Sequence, residues 1–365
     1  MLTRIRARLL PFALLLVLTL SGTSYSQVND GVDTSYIGSD TFFAMVIRPM
    51  QLIKYANDEK TRDAVLDLMQ RESGINVRKL DELVVQFGNE NRSGADARSL
   101  LDSEEYVSMV FRFAEPIGRE VIMAKMFDNA DAATHEKMTY YQARSEHQPS
   151  GYFPNDRSLV IAKERRLKKM MTEKHSMGSM VHRLRKAGTS DDMLAIVSIS
   201  SGRELSREAV KIFDFFGGGE LPISPAEIVN LVDDVVVEVN LSDDVPIKVG
   251  ARAKSDAGAV EVQKQVSALL TFIKTVYPPA RQRILDKAPN KELGKLSVDV
   301  IEAILAGTKV EVQDKDISIR LEREGGLPQL IELFSQSVGQ EAKREVAVEA
   351  VEDSAVPADD APATE

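Results

Sequence analysis

Apolar residues recur along the chain in two patterns, which predict a mixture of strands and helices. Residues 41–49 and 192–200 are apolar on both faces, as is typical of strands near the middle of a sheet. In residues 107–113, Val107, Met109, Phe111 and Phe113 share one face while Ser108 and Arg112 share the other, which predicts a strand. Apolar positions between 262 and 276 follow helical spacing, which predicts a long amphipathic helix.

Both halves of the chain repeat one order of elements: a strand, helices, two strands, a helix, two strands and a final helix. This order predicts an α+β fold of two tandem similar units, each a mainly antiparallel sheet with helices packed on one face. The predicted divisions are a signal peptide over 1–26, a first unit over 33–175, a helical linker over 176–190, a second unit over 191–340 and a disordered acidic tail over 341–365.

Residues 136–171 concentrate tyrosine, histidine, aspartate and arginine, and so have the composition of an active site. We interpret them instead as a hairpin of strands 138–144 and 156–163, joined by residues 145–155, with a helix after it. Tyr140 and Tyr141 are adjacent on the first strand, so they point to opposite faces and cannot line one pocket together. The hypothesis is that this stretch carries no reaction.

Four segments carry a family resemblance: DTFFAMVIRPMQLI, GINVRKLDELVVQFG, YVSMVFRFAEPIGREVI and GYFPNDRSLVIAKERRL. Together they resemble the exported, internally duplicated α+β proteins of unknown function from planctomycete-type bacteria. The resemblance covers roughly residues 35–340 and rests on the order of the elements. It implies export and an internal duplication, and it assigns no activity or functional residue.

The beginning of the chain has the layout of a secretory signal peptide. Arg4, Arg6 and Arg8 precede an apolar run over 9–20, and small polar residues follow up to a mature start near Gln27. The run is shorter than the roughly 20 residues that a membrane-spanning helix needs, so no transmembrane anchor is expected after cleavage. We therefore expect an exported protein of the periplasm or cell envelope.

Composition narrows the classes of partner. The chain of 365 residues has 46 basic and 56 acidic side chains, a net charge of −10 and no cysteine. An acidic balance argues against nucleic acid as a partner, because such binding depends on Lys and Arg meeting phosphates. Residues 341–365 lack aromatic side chains and mix acids with Ala and Pro, which is typical of a disordered tail.

No motif predicts a catalytic, cofactor-binding or metal-binding residue. The chain has no Gly-x-Ser-x-Gly elbow, and the triglycine at 217–219 lacks the Lys and Ser or Thr of a phosphate-binding loop. The side chains best suited to a metal or to acid-base chemistry are spaced too far apart along predicted elements to converge. They are four histidines and two aspartate pairs: His135, His147, His175, His182, Asp233, Asp234, Asp243 and Asp244.

One basic run is a candidate contact with an anionic surface such as a lipid headgroup or a polymer. It consists of Lys163, Arg165, Arg166, Lys168 and Lys169. The alternative, which we prefer, is a solvated helix that packs its apolar side chains on the sheet and turns its charges to water.

The sequence therefore predicts an exported, non-enzymatic binding or structural protein, with an envelope component or another exported protein as its partner. Two alternatives stay open at this point. One is an envelope hydrolase whose site is assembled from residues distant in sequence. The other is a carrier of an apolar ligand, held between the sheet and the long helix.

Overall fold

The structure is a computed structural model, and it describes most of the chain between residues 32 and 328. The described ranges are 32–52, 59–88, 107–145, 148–173, 179–186, 191–202, 223–288 and 291–328. The predicted signal peptide, the acidic tail, the triglycine, His147 and His175 lie outside these ranges.

The described residues form strands and helices in an α+β arrangement, which confirms the predicted fold class. The strands are β1 Thr41–Ile47, β2 Leu80–Gly88, β3 Val107–Phe113, β4 Ala130–His135, β5 Met138–Ala143, β6 Ser150–Asn155, β7 Ser158–Ala162, β8 Met193–Ser198, β9 Val232–Val239, β10 Ile247–Ala253, β11 Thr308–Gln313 and β12 Asp316–Leu321. The helices are α1 Pro49–Leu52, α2 Glu59–Ser73, α3 Arg119–Met126, α4 Glu164–Thr172, α5 Ser179–Lys186, α6 Pro225–Leu231, α7 Asp256–Lys287 and α8 Lys291–Gly307.

All twelve strands belong to one antiparallel sheet with the order β11-β12-β10-β9-β8-β1-β2-β3-β7-β6-β5-β4. The two halves of the chain meet where β1 pairs with β8, with Ala44 opposite Ile196 and Val46 opposite Leu194. The antiparallel character was predicted, but the separate sheets were not found. β1 and β8 carry apolar residues on both faces, and such strands bury most of their surface when a strand lies on either side.

Helices cover both faces of this sheet, which corrects the prediction of helices on one face. We call the face that carries Ile47, Leu83 and Phe111 the first face, and Leu66 of α2 and Ile122 of α3 pack against it. Farther along the same face, α7 packs on β10, β11 and β12. The second face is covered by the buried side chains Leu167 and Met170 of α4 and Leu184 of α5, which lie over Val46, Val84, Val110 and Val160.

Residues 32–40 lie across the second face as a strap, which is tied down by polar side chains of the sheet. The buried Gln86 donates its amide to the carbonyl of Tyr36 at 2.6 Å and accepts from the backbone N–H of Gly38 at 3.1 Å. Arg112 pairs through Nε with Asp33 at 2.9 Å. Such bonds satisfy polar groups that would otherwise be costly to bury.

Residues 130–162 form two hairpins, where the sequence predicted one hairpin within 136–171. β4 pairs with β5 around a turn at Glu136 and Lys137, both of which have positive φ. β6, predicted to be a connection, pairs with β7. The prediction missed β4 because its sequence, ADAATH, has almost no large apolar residue, and it missed β6 because Gly151 and Pro154 are typical of loops.

Helix α7 is the longest described element, with 32 residues. The Ser255 hydroxyl caps its first turn by accepting from the N–H of Gly258 at 3.1 Å. The first half packs Ala259 and Val262 against the sheet, while the second half, which contains Pro278 and Pro279, packs on α8. Within the described ranges, no helix combines the length and apolarity needed to cross a membrane.

The shared sheet predicts that both halves unfold together. Ile196 is fully buried between Ala44 of β1 and Val236 of β9, so Ile196→Asp places a carboxylate at the junction of the halves. We expect a loss of about 3 kcal/mol or more in the free energy of unfolding, because an unpaired charge is buried. Denaturant unfolding should show one transition, shifted as a whole, while the exposed edge substitution Gln313→Asp should shift it little. A transition that stays at the wild-type denaturant concentration for one half would contradict the shared sheet.

Candidate functional site

The sheet is nearly open between β5 and β6. These neighbours share a single register pair, Tyr141 with Gly151, whereas every other neighbouring couple of strands in the described sheet shares four or more. The N–H of Ala143 also meets the hydroxyl of Ser150 at 3.2 Å, on the side of the connecting loop. The ladder between the two strands is therefore limited to one end, and no register pair joins them toward Met138 and Asn155.

The sequence of β6 explains why its pairing with β5 stops. Pro154 has no backbone N–H and cannot donate to a neighbouring strand, so proline is confined to strand edges and bulges. The register of β6 against β7 also shifts between Tyr152 and Asn155. At the closed end, a side chain at Gly151 would meet the ring of Phe127, because a Cβ there would lie 2.5 Å from that ring. Glycine thus leaves room for the Phe127 ring beside the one paired position.

We call the cavity beside this unpaired part of β5 and β6 the slot. Its cavity volume is about 320 Å³, and its lining residues are Arg119, Met138, Thr139, Tyr141, Tyr152 and Phe153. At about 30 Å³ for each water molecule, the slot has room for about ten waters, or for one large side chain with its backbone. This volume falls at the lower end of ligand-binding pockets.

Aromatic and sulfur-containing side chains form the walls of the slot. Tyr141 and Phe153 meet edge to face with ring centroids 5.9 Å apart, and the hydroxyl of Tyr152 lies 3.5 Å from the sulfur of Met138. The guanidinium of Arg119 lies 5.4 Å from the centroid of the Phe153 ring. Within the described part of the chain, no carboxylate is paired with Arg119, so its charge is available to an anion.

The slot is anchored to the strap on the second face. Tyr152 contacts the ring of Tyr36 edge to face, with centroids 6.2 Å apart. Burial, and then the neighbouring Tyr152, raises the pKa of Tyr36 to about 12, so its phenol stays protonated in ordinary conditions. The ring contact and the bond from Gln86 to the Tyr36 carbonyl fix this wall of the slot to the rigid part of the sheet.

A second cavity, of about 370 Å³, lies between α7 and α8. Tyr277, Pro278 and Leu305 supply its apolar lining. Arg281 and Glu302 on its rim already pair with each other, Nε to carboxylate, at 2.9 Å. Lys274 also lines the groove, so this cavity carries a cationic side chain as the slot does.

The structure divides the predicted basic run. Arg166 is only 2% exposed and donates through Nε to the Ser108 hydroxyl at 2.9 Å, so it does not face an anionic surface. This is a correction to the candidate set. Lys169 pairs with Asp40 at 3.0 Å, and Lys168 pairs with Glu164 at 2.5 Å.

The remaining two members of that run are Lys163, which is partly exposed, and Arg165, which is exposed. Nothing observed tests a contact between this face of α4 and an anionic surface. For Lys163, Arg165, Lys168 and Lys169 the contact stays a prediction.

Tyr140 and Tyr141 separate to opposite faces of β5. Tyr140 is buried under α4, where its hydroxyl donates to Glu164 at 2.9 Å, while Tyr141 lines the slot. Burial raises the pKa of Tyr140, and the bond from Lys168 lowers the pKa of Glu164. These bonds tie α4 to the hairpin, and the hypothesis that the stretch carries no reaction stays a prediction.

The other residues weighed for chemistry are dispersed among elements. His135 ends β4 and His182 lies in α5, while Asp234 pairs with Arg183 and Asp244 accepts from the N–H of Gly325 at 3.0 Å. Among the described residues, no group of three or more histidine and acidic side chains is placed to hold a metal ion.

A buried ionic group on the second face was not predicted from the sequence. Glu82 lies between two arginines, 3.6 Å from Arg48 and in direct contact with Arg112. Burial raises the pKa of Glu82, while the two guanidinium groups act in the opposite direction. Side-chain alternation places Glu82 of β2 and Arg112 of β3 on one face, where they are cross-strand neighbours. Their opposite charges were the sequence signal that could have predicted this ion pair.

Asp191, just before β8, has a strongly altered titration. Burial, and then the charge of Glu238, raises its pKa to about 6, although Arg48 and Lys248 lie nearby and act against this shift. The adjacent Asp192 is fully buried and accepts from the backbone N–H of Leu241 at 2.8 Å. Neither of the two cavities includes Asp191, so we assign it no substrate.

Comparisons with known proteins give no family. No protein-family model matches the sequence, and no curated protein matches it. Two crystal forms of the treponemal protein TP0453 are similar over 84% and 85% of this chain and 97% of theirs, with identities of 9% and 6% and TM-scores of 0.38 and 0.41. This likeness assigns no function or residue role to the chain. The resemblance to exported planctomycete-type proteins stays a prediction.

Asp191 predicts a specific dependence of stability on pH. In the unfolded chain the Asp191 carboxyl has its usual pKa of 3.8, and in the folded protein its pKa is about 6. Between these pH values the folded protein therefore binds more protons than the unfolded chain. The free energy of unfolding therefore falls as pH rises through this window. Asp191→Asn should remove that loss, with a gain of about 1 kcal/mol at neutral pH, reduced for partial exposure, and almost no gain below about pH 4.

Denaturant titrations at several pH values measure this effect, and Asp299→Asn on exposed helix surface is the matched control. An equal gain for Asp191→Asn at all pH values would show that the titration of this carboxyl is not the cause.

Proposed function

We propose that the protein is an exported, non-enzymatic binding protein that takes an extended peptide segment of another exported protein into the slot. The observation that carries the proposal is the single register pair between β5 and β6. Strands that separate leave backbone N–H and C=O groups without a ladder partner, and an added strand satisfies such groups. This is the principle of peptide recognition by strand addition.

The lining of the slot supports this proposal over the hydrolase alternative. Phe153 and Tyr141 offer apolar surface to one large side chain, while Arg119 and Thr139 offer polar contacts. No described acid or histidine lines the slot, so its chemistry favours binding.

Export is supported by the basic residues and the short apolar run at the beginning of the sequence. The same basic residues and short apolar run support a location in the periplasm or cell envelope. In such a setting the partner is an envelope component or another exported protein, as the acidic balance disfavours nucleic acid.

An internal duplication is part of the proposal and is supported by strand order. Counted outward from the junction, one half runs β1, β2, β3, β7, β6 and the other runs β8, β9, β10, β12, β11. Both orders are three consecutive strands followed by a reversed hairpin. The β4–β5 hairpin is additional to this common plan in the first half, so the slot lies where the halves differ.

Filling the slot tests the proposed function. Thr139 is exposed and lines the slot, while its cross-strand neighbour Thr134 on β4 is equally exposed and does not line it. Thr139→Trp should therefore block peptide entry, and Thr134→Trp is the matched control for an added indole. The probe is an acetylated and amidated hexapeptide of alternating threonine and phenylalanine, titrated calorimetrically into the full chain.

The wild type and Thr134→Trp should bind this peptide alike, and Thr139→Trp should weaken binding about tenfold or more. If wild type and Thr139→Trp bind equally, the peptide binds elsewhere and the proposed site is wrong. Absence of binding to the wild type would reject the function itself.

A further inference from the structure

The slot is closed at one end, and this limits what can enter it. Tyr141 and Gly151 are paired there, and the N–H of Ala143 reaches the hydroxyl of Ser150 just beyond that pair. An extended chain that lies between β5 and β6 from the open side meets this junction after one or two residues, at about 3.3 Å per residue. The chain must end there or leave the plane of the sheet.

A chain end satisfies this geometry better than an internal segment. The slot volume of about 320 Å³ accommodates one large side chain with its backbone, and a longer insertion would exceed it. An internal segment would have to bend sharply out of the sheet within this space and would lose strand pairing on both sides of the bend. A terminus needs no such bend.

Charge distinguishes the two kinds of chain end. Arg119 lines the slot beside Phe153, and no carboxylate of the described residues pairs with it. Guanidinium groups bind carboxylates through two parallel hydrogen bonds, and this pairing is stronger than neutral hydrogen bonding. A C-terminal carboxylate complements Arg119, whereas an N-terminal ammonium group would be repelled.

We infer that the slot recognises the C-terminus of a partner chain whose last residue is aromatic or large and aliphatic. The last side chain packs in the slot against the Tyr141–Phe153 ring pair, the terminal carboxylate pairs with Arg119, and the preceding residue adds to a strand edge. This inference rests on the proposed peptide-binding function and specifies its ligand.

Three peptide probes separate the inference from the function on which it rests. The first is acetyl-Thr-Thr-Phe with a free carboxylate, the second is the same peptide as its carboxamide, and the third is acetyl-Thr-Thr-Phe-Thr-Thr amide with an internal phenylalanine. Each is titrated calorimetrically into the full chain as wild type, as Arg119→Gln, as Lys125→Gln and as Thr139→Trp. Lys125 is exposed on the same helix and does not line the slot, so it controls for loss of one positive charge.

For the wild type and Lys125→Gln, the free acid should bind about tenfold more tightly than either amidated peptide. For Arg119→Gln, the free acid and its carboxamide should bind with the same affinity. Equal binding of all three peptides to the wild type, abolished by Thr139→Trp, would overturn the C-terminal specificity and leave the peptide-binding function intact. If none of the three binds, the peptide-binding function fails and the inference fails with it.

Discussion

The structure depends on one requirement: the backbone N–H and C=O groups of each strand must be hydrogen-bonded to a neighbouring strand. Antiparallel pairing runs through all twelve strands, and the contact between β1 and β8 joins the two halves of the chain into one sheet. Because both central strands are apolar on each face, helices and the strap must cover the sheet on both sides in the first half. β5 and β6 share only one register pair, and the candidate site lies beside the unpaired part of these two strands.

Buried polar side chains give the second face its particular arrangement. Glu82 with its two arginines, Arg166 with Ser108, and Gln86 with the strap are each enclosed beneath residues 32–40 or helix α4. Removal of one partner from a buried ion pair costs about 3–5 kcal/mol, because the remaining charge has lost its compensation. These contacts therefore hold the strap and α4 in defined positions, and through Tyr36 and Tyr152 they also hold one wall of the slot.

Much of the secondary structure was predictable, because burial on one or both faces leaves a periodic signal in the sequence. The alternation in β3 and the helical spacing in α7 are local patterns of this kind. The pairing of β1 with β8 was not predictable, since two strands that are apolar on both faces can each be completed by several neighbours. The sequence of β4 did not predict a strand, because small exposed residues are as compatible with a loop as with an edge strand.

The slot could not be predicted from residue type, because it arises where strand pairing between β5 and β6 is missing. Tyr141 and Phe153 are ordinary strand residues, and only the tertiary arrangement ends the pairing of their strands at Tyr141 and Gly151. Pro154 was the one available signal, since proline in a strand indicates an unpaired edge. It was interpreted as part of a connection because Gly151 and the polar residues around it favour a loop.

Amide hydrogen exchange of β5 and β6, with and without bound peptide, tests the central claim most directly. An open slot predicts that the amides of Thr139 and Phe153, which strand alternation turns toward the slot, exchange much faster in the free protein than those of β2 and β3, because exchange follows the loss of backbone partners. Binding of the phenylalanine-terminated peptide should slow exchange in this set while leaving β2 and β3 unchanged. If these amides are already as protected in the free protein as those of β2 and β3, the strands are paired and the account of the slot is wrong.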